Sequence, residues 1–335
     1  MSLSLRTTTL SGRRAIPDYA IYGLTLRADR ALAGLYPAPP GATPDVTVHL
    51  GIPAPWAGTV GGDANVINTS ANDPDQPVVE VSWSSNRGGM QMRYVDDTEF
   101  HVSADGRDVW ATWQAPMTLA DTMVYLLGPV LGFVLRQQGV LALHASANVI
   151  DGQAAAFCGP RGAGKSTTAA AFAQAGFAAL SDDVLALRAS NRGVLASPAY
   201  DHLRLWDDSA QILVGDRERL PLLTPNWDKR AFAPESLGHA VSRTPAPLGW
   251  IFLLEPRAAD DAMPRIEPVG AADAFIALTA STSANYLLDQ RMRGEEFRLL
   301  SDLVARTAVF RLTPHADPLR VQQLIARVLQ RVRGE

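Results

Sequence analysis

The chain has 335 residues, a formal net charge of −4 and one cysteine, Cys158. Hydrophobic residues make up 47% and charged residues 19%, the balance of a globular chain and not of a disordered one. Such a length suits one large domain or two modest ones, the slight acidic excess offers no electrostatic footprint for nucleic acid, and a single cysteine excludes an internal disulfide framework.

Residues 1–6 lack the apolar core of a signal peptide. Short strands are predicted over 22–27, 46–50 and 78–83, and 90–95 alternates in part. Segments 99–103 and 108–113 flank an Asp105-Gly106 turn signal, while Gly and Pro between 37 and 62 predict loops. Trp83, Tyr94, Trp110 and Trp113 read as sheet packing, with a ligand cage as the alternative. The pattern changes near Pro116, which divides the chain into a smaller β-rich N-terminal domain, 1–116, and a second domain, 117–335. A helix is predicted over 118–137. Its apolar run, 122–135, is too short to span a bilayer comfortably and carries Gly128-Pro129. The expectation is a buried helix bent near Pro129, no membrane partner, and a soluble, cytoplasmic protein.

Further along, a strand over 141–149 ends at an Asp151-Gly152 turn, and a buried strand over 154–158 holds Cys158, read as a small core residue. A helix follows over 166–175 and stops at Gly176. Strand 177–180 runs into Ser181-Asp182-Asp183, then come strand 184–188, a turn at Asn191-Arg192-Gly193 and strand 250–254. Helices over 271–288, 295–306 and 318–333, with a strand over 309–312, complete an α/β pattern with a nucleotide-binding core.

The chemistry concentrates between 144 and 183. Gly159-Pro160-Arg161-Gly162-Ala163-Gly164-Lys165-Ser166 matches GxxxxGK[ST] at every position, between a predicted strand and a predicted helix. In that setting the backbone N–H groups from Gly159 to Thr167 point at an anion, Lys165 reaches the terminal phosphates of ATP, and Ser166 ligates Mg²⁺. Asp182 and Asp183 follow the next strand, at the edge where ligands gather in α/β sheets. One carboxylate can hold Mg²⁺ and the other can take a proton from a hydroxyl. On an extended strand the two would face opposite ways, and a turn or cap is the plain alternative. His144 is either a hydrogen-bonded core residue or part of the same site. Lys229 and Arg230 are candidate cations for phosphate or a substrate carboxylate, or a solvated turn. Arg204 is a further candidate for substrate contact, or a surface residue.

Segment 141–187, with LHAS, GPRGAGKS and LSDDVLAL, resembles the C-terminal catalytic domain of HPr kinase/phosphorylase. The positions that match are His144, Gly159, Gly164, Lys165, Ser166, Asp182 and Asp183. The resemblance implies a P-loop fold related to phosphoenolpyruvate carboxykinase, Mg-ATP as phosphoryl donor, and a serine hydroxyl as acceptor. Of the Asp pair, one carboxylate with Ser166 goes to Mg²⁺ and the other is the base. The sequence barely separates the two; Asp183 is taken as base and Asp182 as the Mg²⁺ ligand, with His144 assigned to phosphate or to an Asp. The glycine-rich, RG-containing motif that follows the Asp pair in HPr kinases has no counterpart here. The later segments instead resemble HPr-kinase-like proteins of lasso-peptide gene clusters. That branch implies a precursor peptide as acceptor, other maturation enzymes as partners and a homo-oligomer, and it points away from HPr and from the reverse phosphorylase activity. Two other classes fit the same loop: a non-catalytic ATP-binding accessory protein of peptide maturation, and a kinase of a small hydroxylated metabolite.

Overall fold

The computed structural model describes residues 18–57, 79–84, 88–191, 193–260 and 264–334. Residues 1–6, 58–62, Val78 and Arg192, each part of an expectation above, lie outside them.

Strands β1 (Tyr19–Ile21), β2 (Leu24–Ala28), β3 (Tyr36–Pro37), β4 (Val46–Leu50), β5 (Val79–Ser84), β6 (Gly89–Tyr94), β7 (Glu99–Ser103) and β8 (Asp108–Thr112) form one 8-stranded sheet in the order β3-β1-β2-β4-β8-β7-β6-β5. Of the strand expected over 22–27, residues 24–27 lie in β2, while Tyr22 (φ 57°) and Gly23 (φ 74°) form the turn that joins it to β1. Alternation is clean in β4, where Val46, Val48 and Leu50 are buried. The aromatics pack: Tyr94 stacks on Tyr125, Trp83 meets Phe133 edge-on, and Trp110 stacks on His49.

Helix α1 (Leu119–Tyr125) opens on a capping box between Thr118 and Asp121, and a π segment, Leu126–Val130, joins it to α2 (Leu131–Gln137). Gly128 leaves helical geometry (φ −96°, ψ −106°) just before Pro129, so the expected bend is present. Leu119–Gln137 is long and apolar enough to cross a membrane by length and composition, yet 83% of its apolar window is buried inside the fold. Its residues join Tyr22, Val48, Phe100 and Met92 of the first sheet, and Tyr200, in one hydrophobic core that spans both sides of Pro116.

The remaining strands are β9 (Leu141–Leu143), β10 (Ala145–Ile150), β11 (Gln153–Cys158), β12 (Ala178–Ser181), β13 (Leu185–Ser190), β14 (Gly193–Ala196), β15 (Leu203–Trp206), β16 (Leu222–Thr224), β17 (Trp227–Phe232), β18 (Ala246–Leu254), β19 (Arg265–Pro268) and β20 (Ala308–Thr313). Among them lie α3 (Lys165–Gln174), α4 (Asp207–Val214), α5 (Ala271–Ala280), α6 (Gln290–Arg306) and α7 (Val321–Arg333). Strands β15, β17 and β16 make a small sheet; the rest form a 9-stranded sheet. Long β18 joins its two parts: residues 246–247 pair with β14, while 250–254 pair in parallel with β20 and the C-terminal half of β11.

Strand β11 shows why this sheet is covered on both faces. Ala154, Ala156 and Cys158 face α5 and α6, whereas Ala155 and Phe157 face α3 and α7. Helix α3 is alanine-rich and buries a second side, Ala169, Ala170 and Ala173, against the small sheet. The whole is a mixed α/β fold with large sheets. Helix α5 ends at Ala280, short of the predicted 288, and α7 begins at Val321 after a 3₁₀ turn at Pro318–Arg320. Phe172, fully buried between β11 and α7, should lose about 3–5 kcal/mol on truncation in Phe172→Ala. Urea unfolding at an unchanged m-value measures it; a loss below about 1 kcal/mol would contradict the packing described.

Candidate functional site

The site forms where the 9-stranded sheet steps between its two parts. Strands β10 and β12 pair in one part, and β9 and β13 pair in the other. The chain makes that step twice, at His144 and at Asp182-Asp183, so the two breaks lie side by side. The strand expected over 141–149 is therefore two strands split at His144, whose N–H donates to the Ser281 carbonyl at 2.7 Å. Opposite it, Asp183 takes up a left-handed backbone (φ 67°), rare for a residue with a β-carbon. The expected opposite facing of the two carboxylates does not occur, because neither residue is in a strand and the turn swings both toward Arg204.

Arg204, on β15, is the hub. Its backbone N–H donates to Asp182 Oδ2 at 2.8 Å, and its Nη1 donates to Asp183 Oδ2 at 2.9 Å. Asp182 Oδ1 accepts from Ser166 Oγ at 2.7 Å. His144 Nδ1 lies 3.3 Å from Asp183 Oδ1 and 3.1 Å from the Asp183 carbonyl. The guanidinium lies over the Tyr200 ring, and Tyr200 Oη donates to the Asp182 carbonyl at 3.2 Å. Burial opposes the charge on Asp183, yet Arg204, and then His144, hold its carboxyl well below the usual carboxylate range. Burial also works against the charge on Arg204, but Tyr200 and Asp183 leave its basicity raised.

Two close approaches make room for this cluster. A β-carbon on Gly128 would sit 3.0 Å from Asp183 Oδ2, so the helix bend presents bare backbone to the ion pair. Fully buried Tyr22, at the tip of the first hairpin, donates from its hydroxyl to the Leu127 carbonyl at 2.7 Å, one residue before that gap.

The glycine-rich loop runs from the C-terminal end of β11 into α3, as expected. Gly159 has φ 154°, and a β-carbon there would come within 3.1 Å of the Leu254 carbonyl, so only glycine fits against β18. Pro160 accepts from the Ala163 N–H, Gly162 is left-handed, and Gly164 caps α3 in the left-handed region. Lys165 is nearly buried and donates from Nζ to the carbonyls of Gly159 (2.8 Å) and Pro160 (2.9 Å). Burial lowers its pKa, against the pull of Asp183 and Asp182. Thr167 Oγ1 shares a hydrogen bond with Ser209 Oγ of α4.

The other predicted cations divide. Lys229 and Arg161 both lie over the ring of Trp206, at 4.6 and 5.5 Å, so β17 and the loop meet there. Burial lowers the Lys229 pKa, with Asp183 opposing. Arg230, the next residue on β17, faces away: it pairs with Asp207 at 2.8 Å and donates to the Leu220 carbonyl, so it does not join the cluster. Arg204 belongs to the site as the ion-pair partner of Asp183 and is too buried for the surface role. Cys158 is fully buried, and burial pushes its thiol up to about 12, in keeping with a core role. Trp206 and Arg257, whose Nη2 comes within 3.7 Å of a β-carbon built on Gly164, are site residues that sequence reasoning missed.

Among the described residues no group of three or more His, Cys, Asp or Glu can hold a metal by itself. The adjacent oxygens of Ser166 and Asp182 do suit Mg²⁺, which takes one or two protein oxygens and completes its shell with water and phosphate. The cradle at Gly159 and the loop N–H groups suit a polyphosphate.

The Asp183–Arg204 pair yields a stability prediction. With its folded pKa depressed, Asp183 contributes stability above its unfolded pKa, about 4, and loses it as pH falls toward the folded value. Arg204→Met leaves that buried carboxylate without its guanidinium partner, with only His144 beside it, and should cost about 3 kcal/mol at pH 7. The cost should shrink below about pH 4, where the variant's carboxyl takes a proton that the native one resists. Urea melts at both pH values measure this; a cost independent of pH would contradict the pairing.

No protein-family model matches the chain, and no curated protein matches it. Among solved structures the chain is similar to the Hpr(Ser) kinase/phosphatase from Coxiella burnetii, at 15% identity and a TM-score of 0.32, over 58% of this chain and 93% of that chain.

Proposed function

We propose that the protein is a Mg-ATP-dependent kinase that transfers the γ-phosphoryl group to a serine-type hydroxyl, with a ribosomally made precursor peptide of the lasso type as acceptor. One observation carries the kinase reading: Ser166 and Asp182 share a hydrogen bond at the glycine-rich loop, with a second carboxylate, Asp183, the next residue along. The loop amides and Lys165 hold the polyphosphate. Ser166 and Asp182 hold Mg²⁺, which neutralises charge on the phosphoryl oxygens when bound. Asp183 accepts the acceptor hydroxyl's hydrogen bond and then its proton, as the new O–P bond forms and the bond to the ADP oxygen breaks. A depressed carboxylate is a weak base, so its main part is orientation, which suffices because phosphoryl transfer depends mostly on positioning and charge. His144 fixes the Asp183 carboxylate. Lys229, whose ammonium lies over the exposed Trp206 ring, is the cation taken to meet the acceptor in this reading. The acceptor class itself rests on the family resemblance alone.

A nucleotide-binding accessory protein is the second reading, and the engagement of Asp183 by Arg204 favours it. Incubation with γ-labelled ATP and the precursor peptide separates the two. The kinase predicts label on a peptide serine, a loss of at least about a hundredfold in Lys165→Ala, and a loss of about 10²–10⁴ in Asp183→Asn with nucleotide binding retained. Bound nucleotide with no labelled peptide establishes the accessory role. Phosphate found only on a small metabolite moves the acceptor class.

A further inference from the structure

Only two of the chain's 30 basic residues are lysines, Lys165 and Lys229; the other 28 are arginines. The fold brings both lysines to the site, where each feels the charges of Asp182 and Asp183. Their ammonium groups differ in one respect. Lys165 Nζ donates to the carbonyls of Gly159 and Pro160, whereas Lys229, half-buried on β17, makes no hydrogen bond or ion pair among the described residues. Its Nζ lies over the Trp206 ring, and a ring face steadies an ammonium while leaving N–H donors open. The backbone around it is fixed. Asn226 donates to buried Asp121 at 2.9 Å, Trp227 meets Tyr125 edge-on, and Arg230 pairs with Asp207. Nor is the Asp pair open to it: Ser166 and the Arg204 N–H hold Asp182, while the Arg204 guanidinium and His144 hold Asp183. A partly desolvated ammonium with open donors lacks only an anion.

We infer that Lys229 binds the phosphate of the phosphorylated acceptor, a monoester dianion, at a second anion site on the small sheet instead of the glycine-rich loop. This rests on the kinase reading above and extends it to the product. As the bond from phosphorus to the ADP oxygen breaks, the bond to the acceptor oxygen forms and the hydroxyl proton goes to Asp183. Negative charge thereby leaves the nucleotide and reappears on the acceptor. Lys165 stays with the phosphates of ADP and Arg204 stays with Asp183, which leaves Lys229 as the cation for the new ester. A phosphate dianion presents three oxygens to the open N–H donors, and charge-assisted bonds of that kind are the strong ones. Lysine also suits the task better than arginine. Its ammonium is a compact charge with rotatable donors, able to follow a group that changes place, whereas a guanidinium holds one planar geometry.

Amine footprinting of the full-length wild-type chain tests the assignment without relying on activity. With only two lysines present, acetylation by a water-soluble active ester followed by peptide mapping reads Lys229 without interference. The chain is first saturated with Mg-ADP, its binding followed by calorimetry. Adding N-acetyl-O-phosphoserine amide, whose one anionic group is the phosphate, should then bring a saturable loss of label at Lys229. Unchanged labelling of Lys229, or equal protection by unphosphorylated N-acetylserine amide, overturns the site. In a second measurement, Lys229→Met should weaken binding of the blocked phosphoserine about tenfold or more, while the affinity for Mg-ADP changes less than about threefold and Lys229→Arg recovers part of the loss. Equal weakening of both ligands, or unchanged phosphoserine binding, also overturns it. A chain that binds Mg-ADP yet leaves Lys229 unprotected by phosphoserine loses this site and keeps the kinase reading. Failure of the wild type to bind Mg-ADP removes both.

Discussion

Burying a carboxylate and a guanidinium together is costly unless their geometry is well satisfied, and much of this fold is arranged around one such pair. Asp183 requires a left-handed backbone to reach Arg204. Arg204 requires Tyr200 beneath its guanidinium and Asp182 on its amide. The ion pair needs space, which the bend at Gly128-Pro129 supplies by leaving a backbone with no side chain at the contact. Helix, hairpin, sheet step and small sheet each meet the pair from a different direction. The odd local features of the chain, a broken apolar helix and an aspartate in glycine-like geometry, thus have one cause.

How far the site is legible in the sequence depends on the distance over which each part is specified. The glycine-rich loop reads directly, since a strand, a turn with glycine at its tight points and a helix lie within about twenty residues. The Asp pair reads as a location but not as a geometry: alternation along a strand predicts opposite faces, and nothing in Ser181-Asp182-Asp183-Val184 announces a positive φ. His144 is visible, while the split that places it beside Asp183 arises from two strand pairs stepping together. Arg204, Trp206 and Lys229 depend on the pairing of β15 with β17, in which Arg204 stands opposite Ala231 and Trp206 opposite Lys229. Neither strand alternates strongly enough to be predicted, so adjacent Lys229 and Arg230 looked equivalent. Their fates separate only through that register. Arg257 lies in no motif and is recognised only because β18 ends next to the loop.

The fold follows the same division. Long parallel strands such as 250–254 and 309–312 stand out because both faces are buried and nearly every residue is apolar. The stretch from 193 to 245 holds short strands, a short helix and many turns, and its apolar residues find partners on α3 only in three dimensions. Alanine-rich α3 carries almost no amphipathic signal for the same reason, being covered on two sides.

The Tyr22 hydroxyl reaches a carbonyl 105 residues away, and that carbonyl adjoins the gap at Gly128. The first sheet is thereby joined to the helix bend that leaves room for the ion pair, and the shared hydrophobic core reinforces the joint. Fraying of the β1–β2 hairpin cannot stay local, since it frees the bend to shift and with it the geometry at Asp183. Sheet and site thus belong to one cooperative unit, open or closed together, and the integrity of the chemistry is read at a strand edge that bears none of its residues.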